Sequence, residues 1–321
     1  MTKGNIIILG EGRTMKKFLL GVVFCLLLIG GVGQIVLSEE AGSEFDQVQI
    51  TTDKLADNVY MLVGRGGNMG VSVGEDGVFI VDDQFAPLTD KIKKAIAAIS
   101  DKQIRLVLNT HWHFDHTGGN ENIGEAGSII VAHENVRKRL SSEQFIEFFK
   151  KKVPATKKVG LPIITFTKDI TFHLNNDTIH VFHVSYAHTD GDVIVYFQES
   201  NVIHMGDIYF SGMYPFIDLS SGGSVKGVIA AINQVLPLID KKTGVIPGHG
   251  PRSNKAKLEI YRDMLATISK QISQLIKAGK TIEEIIADKP TQNFDSVFGK
   301  GIISADKFVE ILFKDLSEEK K

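Results

Sequence analysis

The chain has 321 residues, of which 43% are hydrophobic and 23% are charged. This composition is typical of a globular protein, and α/β domains of roughly 200–250 residues are routine. The formal net charge is −2 at pH 7. The chain therefore lacks the basic excess typical of nucleic-acid-binding proteins, and we expect no nucleic-acid partner.

The N-terminal segment, residues 1–38, predicts export from the cytosol. Met15-Lys16-Lys17 precedes an apolar run over residues 18–37, and a polar, acidic stretch follows. This order is typical of a secretory signal peptide, although the run is also nearly long enough to span a bilayer. We expect a periplasmic or secreted protein, with an inner-membrane anchor formed by residues 18–37 as the alternative. Residues 1–14 precede this signal, and we hypothesise that Met15 is the true start.

The only cysteine, Cys25, lies inside this apolar run. An exported domain would therefore contain no disulfide and no cysteine metal ligand.

Downstream of the linker, strand and helix patterns alternate. Short β-rich runs between turn residues predict strands at 58–65, 70–73, 78–81, 104–108, 128–131, 170–174, 178–184, 193–198, 202–204 and 244–246. Helical spacing predicts helices at 88–100, 134–140, 143–151, 225–239, 256–278, 282–287 and 305–316, with a basic loop at 152–162. Because the pattern repeats in two halves that each close with a helix, we predict two sheets packed face to face with helices outside.

The run from Thr110 to His116 reads T-H-x-H-x-D-H and follows the predicted strand at 104–108. Imidazole and carboxylate groups suit Zn²⁺, with iron or manganese as alternatives. Positions i and i+2 of an extended segment point the same way. We therefore predict that His111 and His113 share one ion, while Asp115 and His116 face a second.

Three later residues occupy comparable positions just after predicted strands. His188 lies in a turn-rich loop, Asp207 follows the strand at 202–204, and His249 lies between two glycines after the strand at 244–246. Loops at one edge of a layered sandwich bring such side chains together.

With these motifs, the chain resembles a metallo-β-lactamase superfamily hydrolase over roughly residues 48–255. The resemblance implies an α/β fold of the αβ/βα four-layer sandwich type, with a catalytic domain at 39–255 and a C-terminal helical extension at 256–321. It implies a dinuclear site in which Asp207 bridges both metals. One metal would be held by His111, His113 and His188, and the second by Asp115, His116 and His249.

The resemblance also gives roles to two carboxylates. Asp82 would lie behind the ligands and orient one of them or its loop. Asp115 would hold the second metal and could also accept a proton from the nucleophile. Two zinc ions that share a water lower its pKa from about 15.7 toward about 7, which would supply a metal-bridged hydroxide at neutral pH.

The substrate is less well determined, because one fold hosts many reactions. One β-lactamase pattern has a cysteine in place of Asp207 and a lysine three residues later, where this chain has Phe210; another lacks the bridging aspartate. The complete ligand set looks more like the glyoxalase II, thioesterase or lactonase branch. Within this branch, export argues against glyoxalase II, because it would separate the enzyme from cytosolic glutathione thioesters. We predict hydrolysis of an ester, thioester, lactone or lactam bond of a small molecule.

An exported class B-like β-lactamase is one alternative to this prediction. A non-hydrolytic dinuclear redox or metal-binding protein is an alternative of a different class. No oligomeric state follows from these patterns.

The remaining candidates carry simpler expectations. Residues 65–68 and 213–217 are candidate cleft loops, with ordinary packed loops as the alternative. Trp112 either packs beneath the ligand loop or lines the cleft. We expect loop hydrogen bonding for two carboxylates, Asp190 and Asp192. We expect surface or packing roles for the other histidines of the domain, which are His133, His173, His180, His183 and His204.

Overall fold

The computed structural model describes residues 44–318. Its strands are β1 (Thr51–Lys54), β2 (Val59–Val63), β3 (Met69–Ser72), β4 (Val78–Val81), β5 (Ile104–Asn109), β6 (Ile129–His133), β7 (Gln144–Ile146), β8 (Lys151–Val153), β9 (Ile164–Phe166), β10 (Asp169–Leu174), β11 (Asp177–His183), β12 (Val193–Phe197), β13 (Val202–His204) and β14 (Gly244–Ile246). Its helices are α1 (Thr89–Ala97), α2 (Phe114–Thr117), α3 (Asn120–Glu125), α4 (Glu134–Leu140), α5 (Val225–Val235), α6 (Lys255–Lys277), α7 (Ile282–Ala287), α8 (Asp295–Phe298) and α9 (Ala305–Glu318).

The strands form two large sheets and a hairpin. The first sheet has seven strands in the order β1-β2-β3-β4-β5-β6-β9, antiparallel from β1 to β4 and parallel from β4 to β9. The second has five strands in the order β10-β11-β12-β13-β14, with a parallel pair only at β13 and β14. Strands β7 and β8 pair only with each other.

Three apolar clusters define the layers. Side chains from the facing surfaces of both sheets, such as Phe79 and Val195, form the middle cluster. The outer face of the first sheet packs on α1 and α3, and the outer face of the second packs on α5, α6 and α9. Strand β4 is buried along its whole length because both of its faces are covered. The predicted αβ/βα four-layer sandwich is confirmed.

Most predicted elements are present, and two differ for identifiable reasons. The helix predicted at 225–239 ends at Val235 because Pro237 has no backbone N–H to continue the helical hydrogen bonds. The helix predicted at 143–151 is wrong, since this segment forms the β7–β8 hairpin. Its aromatic side chains have helical spacing, but Phe148 and Phe149 pack on Phe216, and this tertiary packing overrides the local pattern.

The predicted export segment at residues 1–38 lies outside the described residues. Within residues 44–318, no helix has both the length and the apolar character needed to cross a membrane.

Candidate metal centre

The candidate site lies where several strands end at one edge of the sandwich. Strands β4 and β5 run parallel, and the residues after them are Asp82 and the segment from Thr110 to His116. Strands β13 and β14 also run parallel and are followed by Asp207 and His249. Because parallel strands end at the same edge, residues far apart in sequence meet there.

The first cluster consists of His111, His113, His188 and Asp207, all of them buried. The Nδ1 atom of His113 lies 3.1 Å from His111 Nε2 and 2.9 Å from His188 Nε2. The Oδ2 atom of Asp207 lies 3.8 Å from His111 Nε2 and 3.6 Å from His188 Nε2. Ligand atoms of a tetrahedral zinc site with bonds of about 2.0–2.1 Å lie roughly 3.3 Å apart, so these spacings suit a metal ion.

The second cluster consists of Asp115, His116 and His249. The Nε2 atom of His249 lies 3.3 Å from Asp115 Oδ2 and 3.4 Å from His116 Nε2. Asp207 adjoins this cluster as well, since its Oδ1 lies 3.1 Å from His116 Nε2 and its Oδ2 lies 3.4 Å from His249 Nε2. The structure thus brings together all seven predicted ligand residues, with Asp207 between the two groups.

The buried oxygen and nitrogen atoms that face one another at this site could be satisfied by bound cations. Among the described residues, the buried Oδ1 atom of Asp207 has no hydrogen-bond partner other than the nearby Nε2 of His116. In the first cluster, three imidazole nitrogens converge within hydrogen-bonding distance. Nitrogens crowded in this way need either a proton or a cation between them, and imidazole and carboxylate together form a donor set typical of zinc. Both clusters could hold a metal.

Hydrogen bonds behind the clusters orient the histidines. His113 Nε2 donates to Asp218 Oδ2 at 3.0 Å, and His188 Nδ1 donates to the carbonyl oxygen of Phe216 at 2.9 Å. Each bond assigns the proton to the outer nitrogen and leaves the inner nitrogen free to bind a metal. Asp218 was not predicted from sequence.

Asp82 orients the ligand loop from behind. Its Oδ2 accepts from His116 Nδ1 and from the hydroxyl of Thr110, both at 2.8 Å, and its Oδ1 accepts from the backbone N–H of Thr110 at 2.7 Å. The Thr110 hydroxyl in turn accepts from His111 Nδ1 at 3.0 Å. Asp82 is fully buried, with a φ of 64° that is uncommon for a non-glycine residue. Asp82 therefore orients His116 and the Thr110 segment by hydrogen bonds and does not line the cavity.

The electrostatics of the two clusters differ. Burial lowers the pKa of His188 to about 4 and, together with the nearby His116, lowers the pKa of His111 well below its usual value. Burial opposes the charge of His249, but Asp207 and Asp115 outweigh it and raise the pKa of His249 to about 9. The first cluster is therefore ready to bind a metal, whereas a metal would replace a proton at the second.

A cavity of about 640 Å³ opens onto both clusters. Its walls are largely apolar, and it is lined by His113, Asp115, Asp207 and His249 together with Arg65, Phe85, Phe114, Ile146, Phe149, Lys151, Phe210, Met213, Tyr214, Phe216, Ile302 and Ile303. The two predicted cleft loops thus contribute to it. A cavity of this size accommodates a small organic molecule.

Two aromatic residues cover the histidine ligands. Phe210, which stands where one β-lactamase pattern has lysine, stacks on the imidazole of His249 with ring centroids 5.1 Å apart. Phe216 stacks on His113 at 5.8 Å. Trp112 does not line the cavity; it is buried, and its Nε1 donates to Ser221 Oγ at 3.2 Å. Trp112 therefore packs beneath the ligand loop.

The residues predicted to be structural lie outside both clusters. His204 donates to the carbonyl oxygen of Asn68 at 3.0 Å and accepts from the N–H of Gly206. His133 stacks on His183 at 3.9 Å. As expected, Asp192 accepts loop N–H bonds from His188 and Thr189. Asp190 instead forms an ion pair with Arg139.

Histidine and aspartate side chains that follow the strands at one edge of a four-layer sandwich, and that could hold metal ions, are typical of one class of α/β proteins. The chain belongs to the metallo-beta-lactamase superfamily, whose family model matches residues 62–257. The resemblance stated from the motifs is confirmed.

Among sequence relatives, a hydroxyacylglutathione hydrolase of Pelagibacter ubique is 26% identical over 177 residues, which are 53% of this chain and 63% of the relative. A probable metallo-hydrolase of Bacillus subtilis, YqgX, is 26% identical over 153 residues, covering 46% of this chain and 69% of the relative. The chain thus matches about two thirds of each relative's length. These matches support a metal-dependent hydrolase.

Solved structures share the fold at low identity. A metallo-beta-lactamase from Pontibacter korlensis has a TM-score of 0.56 and 20% identity, covering 68% of this chain and 99% of that one. A double mutant of the sec-alkyl sulfatase PisA1 has a TM-score of 0.63 and 16% identity, covering 83% of this chain and 50% of that one.

Proposed function

We propose that the protein is a dinuclear zinc hydrolase that cleaves an ester, thioester, lactone or lactam bond of a small molecule. The observation that carries the proposal is the pair of adjacent ligand clusters with Asp207 between them, open to one cavity. When bound, zinc lowers the pKa of water and polarises a carbonyl oxygen. No serine or cysteine nucleophile is then needed.

The chain's own residues would position the reactants and move a proton. In the proposal, His111, His113, His188 and Asp207 hold one metal, and Asp115, His116, His249 and Asp207 hold the other. Asp115 is the more exposed of the two ligand carboxylates that line the cavity, with 21% of its side chain exposed against 5% for Asp207. The positive charges of His116 and His249 outweigh burial and lower the pKa of Asp115 to about 2. It is therefore ionised at neutral pH, and because a pKa this low makes it a weak base, it would hold the nucleophile's proton only transiently.

The cavity walls favour acyl substrates with an apolar body. The hydroxyacylglutathione hydrolases among the relatives support a thioester or a related ester. Phe210 supplies an apolar surface where one β-lactamase pattern has a cation, so the chain departs from that pattern at this position. We keep lactams in the substrate range and test them directly.

The proposal is tested by hydrolysis assays with the zinc-loaded protein. The panel comprises an aryl ester, an acyl-homoserine lactone, a glutathione thioester, a penicillin and a carbapenem. We expect turnover of at least one ester, thioester or lactone that is lost in His113→Ala. Lactam turnover lost in the same variant would instead identify a β-lactamase. Turnover of none of these compounds by a protein that has bound zinc would refute the proposal.

We also propose that the protein is exported and acts in the periplasm or outside the cell. The support is the basic and apolar pattern of residues 15–37. Fractionation of cells that produce the protein, followed by N-terminal sequencing, tests this. A mature chain in the periplasm that begins near residue 39 is expected, whereas a cytosolic chain that retains residues 15–37 would contradict export.

A further inference from the structure

The β7–β8 hairpin places one cation in the catalytic cavity. Its register pairs Ile146 with Lys151, and both residues line the cavity. The neighbouring pair, Phe145 and Lys152, lies on the opposite face because side chains alternate along a strand. Lys152 pairs there with Glu143 at 3.0 Å. The two adjacent lysines are thus separated by the sheet geometry, one facing the cavity and one facing away.

Lys151 differs in its partners from the other cation of the cavity. Arg65 forms an ion pair with the carboxylate of Glu44. Lys151 has no carboxylate within ion-pair distance among residues 44–318, and its ammonium lies 3.4 Å from the ring centroid of Phe114. A cation–π contact fixes an ammonium in place without neutralising its charge. Lys151 therefore remains able to pair with an anion in the cavity.

The same hairpin contributes an apolar wall. Phe148 and Phe149 lie at the hairpin tip and pack on Phe216, with ring centroids 5.2 Å and 4.9 Å away. Phe216 in turn covers His113. Ile302, which is 87% exposed, lines the same cavity. The hairpin thus contributes to the cavity that opens onto the two ligand clusters an apolar surface and one positive charge, which has no carboxylate partner among the described residues.

We propose that Lys151 recognises an anionic group of the substrate, so that the substrate is an ester, thioester or lactone with an apolar body and a free carboxylate. This inference rests on the proposed hydrolytic function. The aromatic wall would hold the apolar body, while Lys151 would pair with the carboxylate at a distance from the bond that is cleaved. Because Lys151 is exposed, such a charge pair would contribute more to specificity than to affinity.

Ligand binding tests the inference without requiring turnover. Calorimetry on the zinc-loaded protein compares 4-phenylbutyrate with its uncharged primary amide. We expect Lys151→Met to weaken carboxylate binding about fivefold, the upper range for a partly exposed pair, and to leave amide binding unchanged. Lys151→Arg should restore the carboxylate preference. Lys152→Met is the matched control on the opposite face and should behave like the unaltered protein.

Two results would overturn the inference: an equal loss of affinity for carboxylate and amide in Lys151→Met, or no preference for the carboxylate in the unaltered protein.

Steady-state hydrolysis of an aryl ester of hexanoate and the matching monoester of adipate separates this inference from the proposed function. We expect Lys151→Met to raise KM for the anionic ester alone. Turnover of both esters without that selective change would leave the hydrolase proposal intact and refute the role of Lys151.

Discussion

At the residue scale, the candidate centre depends on groups behind the ligands as much as on the ligands themselves. His113 presents Nδ1 to the first cluster because its Nε2 donates to Asp218, a carboxylate that is itself buried. Asp82 acts similarly on His116. Removal of such a partner commonly lowers metal affinity about 10- to 100-fold, since the ring loses both its orientation and its tautomer preference.

We therefore expect Asp218→Ala to weaken zinc binding about 10- to 100-fold while the protein stays folded. Asp218→Asn, which keeps an acceptor oxygen, should have an intermediate effect. Zinc affinity is measured by competition with a chromogenic chelator, and folding by circular dichroism. Asp177→Asn is the control, because Asp177 is also buried but accepts hydrogen bonds from the 199–200 turn. Unchanged affinity in Asp218→Ala would exclude an orienting role for Asp218.

Sequence reasoning found the ligand candidates because they are concentrated in a short motif or lie next to glycines after strands. It did not find Asp218, which has no local signature in the Ile217-Asp218-Leu219 segment. Its pairing with His113 spans 105 residues, and only the folded loops bring the two together. Similarly, the position of Trp112 beneath the ligand loop depends on packing with a distant residue, Ser221.

At the element scale, the loops at the strand ends fix the ligand helix α2. The β2–β3 loop approaches closely enough that Gly67 donates its N–H to the carbonyl oxygen of Asp115 at 3.0 Å. A Cβ atom at Gly67 would overlap the imidazole of His116. Asn68 then ties this loop to the His249 loop by donating to the carbonyl oxygens of Pro247 and Gly250. Glycine at position 67 is therefore a requirement of the site.

From this contact we expect Gly67→Ala to reduce hydrolysis about 100-fold, because displacement of a site group by about 1 Å has an effect of that order. Zinc content of the second cluster should fall as well. Gly244→Ala in β14 is the control, since its Cβ would meet mainly the flexible end of Leu55. The assay is hydrolysis of the best substrate of the panel. Full activity in Gly67→Ala would show that His116 can move without loss.

The elements with strong periodicity were predictable, and those set by tertiary contacts were not. Strands β11 and β12 and helix α6 have clear local patterns and lie where the sequence predicted them. The β7–β8 segment has the aromatic spacing of a helix but forms a hairpin, because Phe148 and Phe149 at its tip pack on the distant Phe216. The short strand β9 has little local signal and exists through its pairing with β6.

At the scale of the whole molecule, the C-terminal helices complete the fourth layer. Leu258, Leu265 and Ile268 of α6 are fully buried in the same apolar cluster as Ile232 and Val235 of α5. Burial of one such side chain stabilises a protein by about 1.5–3 kcal/mol, and total stabilities are about 5–15 kcal/mol. Exposure of several of these side chains would exhaust the stability of the domain.

A chain that ends at residue 254 should therefore fail to fold, even though the family match ends near this point. Solubility and thermal unfolding of the truncated and complete chains test this expectation. A chain that ends at residue 318 serves as the control, because it retains α9. A soluble truncated chain with cooperative unfolding and normal zinc binding would show that the helical extension is dispensable.

The central claim, two metals joined by Asp207, is tested most directly by elemental analysis of the unaltered protein and Asp207→Ala, with hydrolysis measured on the same samples. Asp207 adjoins both clusters, so its removal affects both sites. We expect about two zinc ions per chain in the unaltered protein, and a parallel loss of zinc and activity in the variant. Two zinc ions and a full rate of hydrolysis in Asp207→Ala would contradict the account.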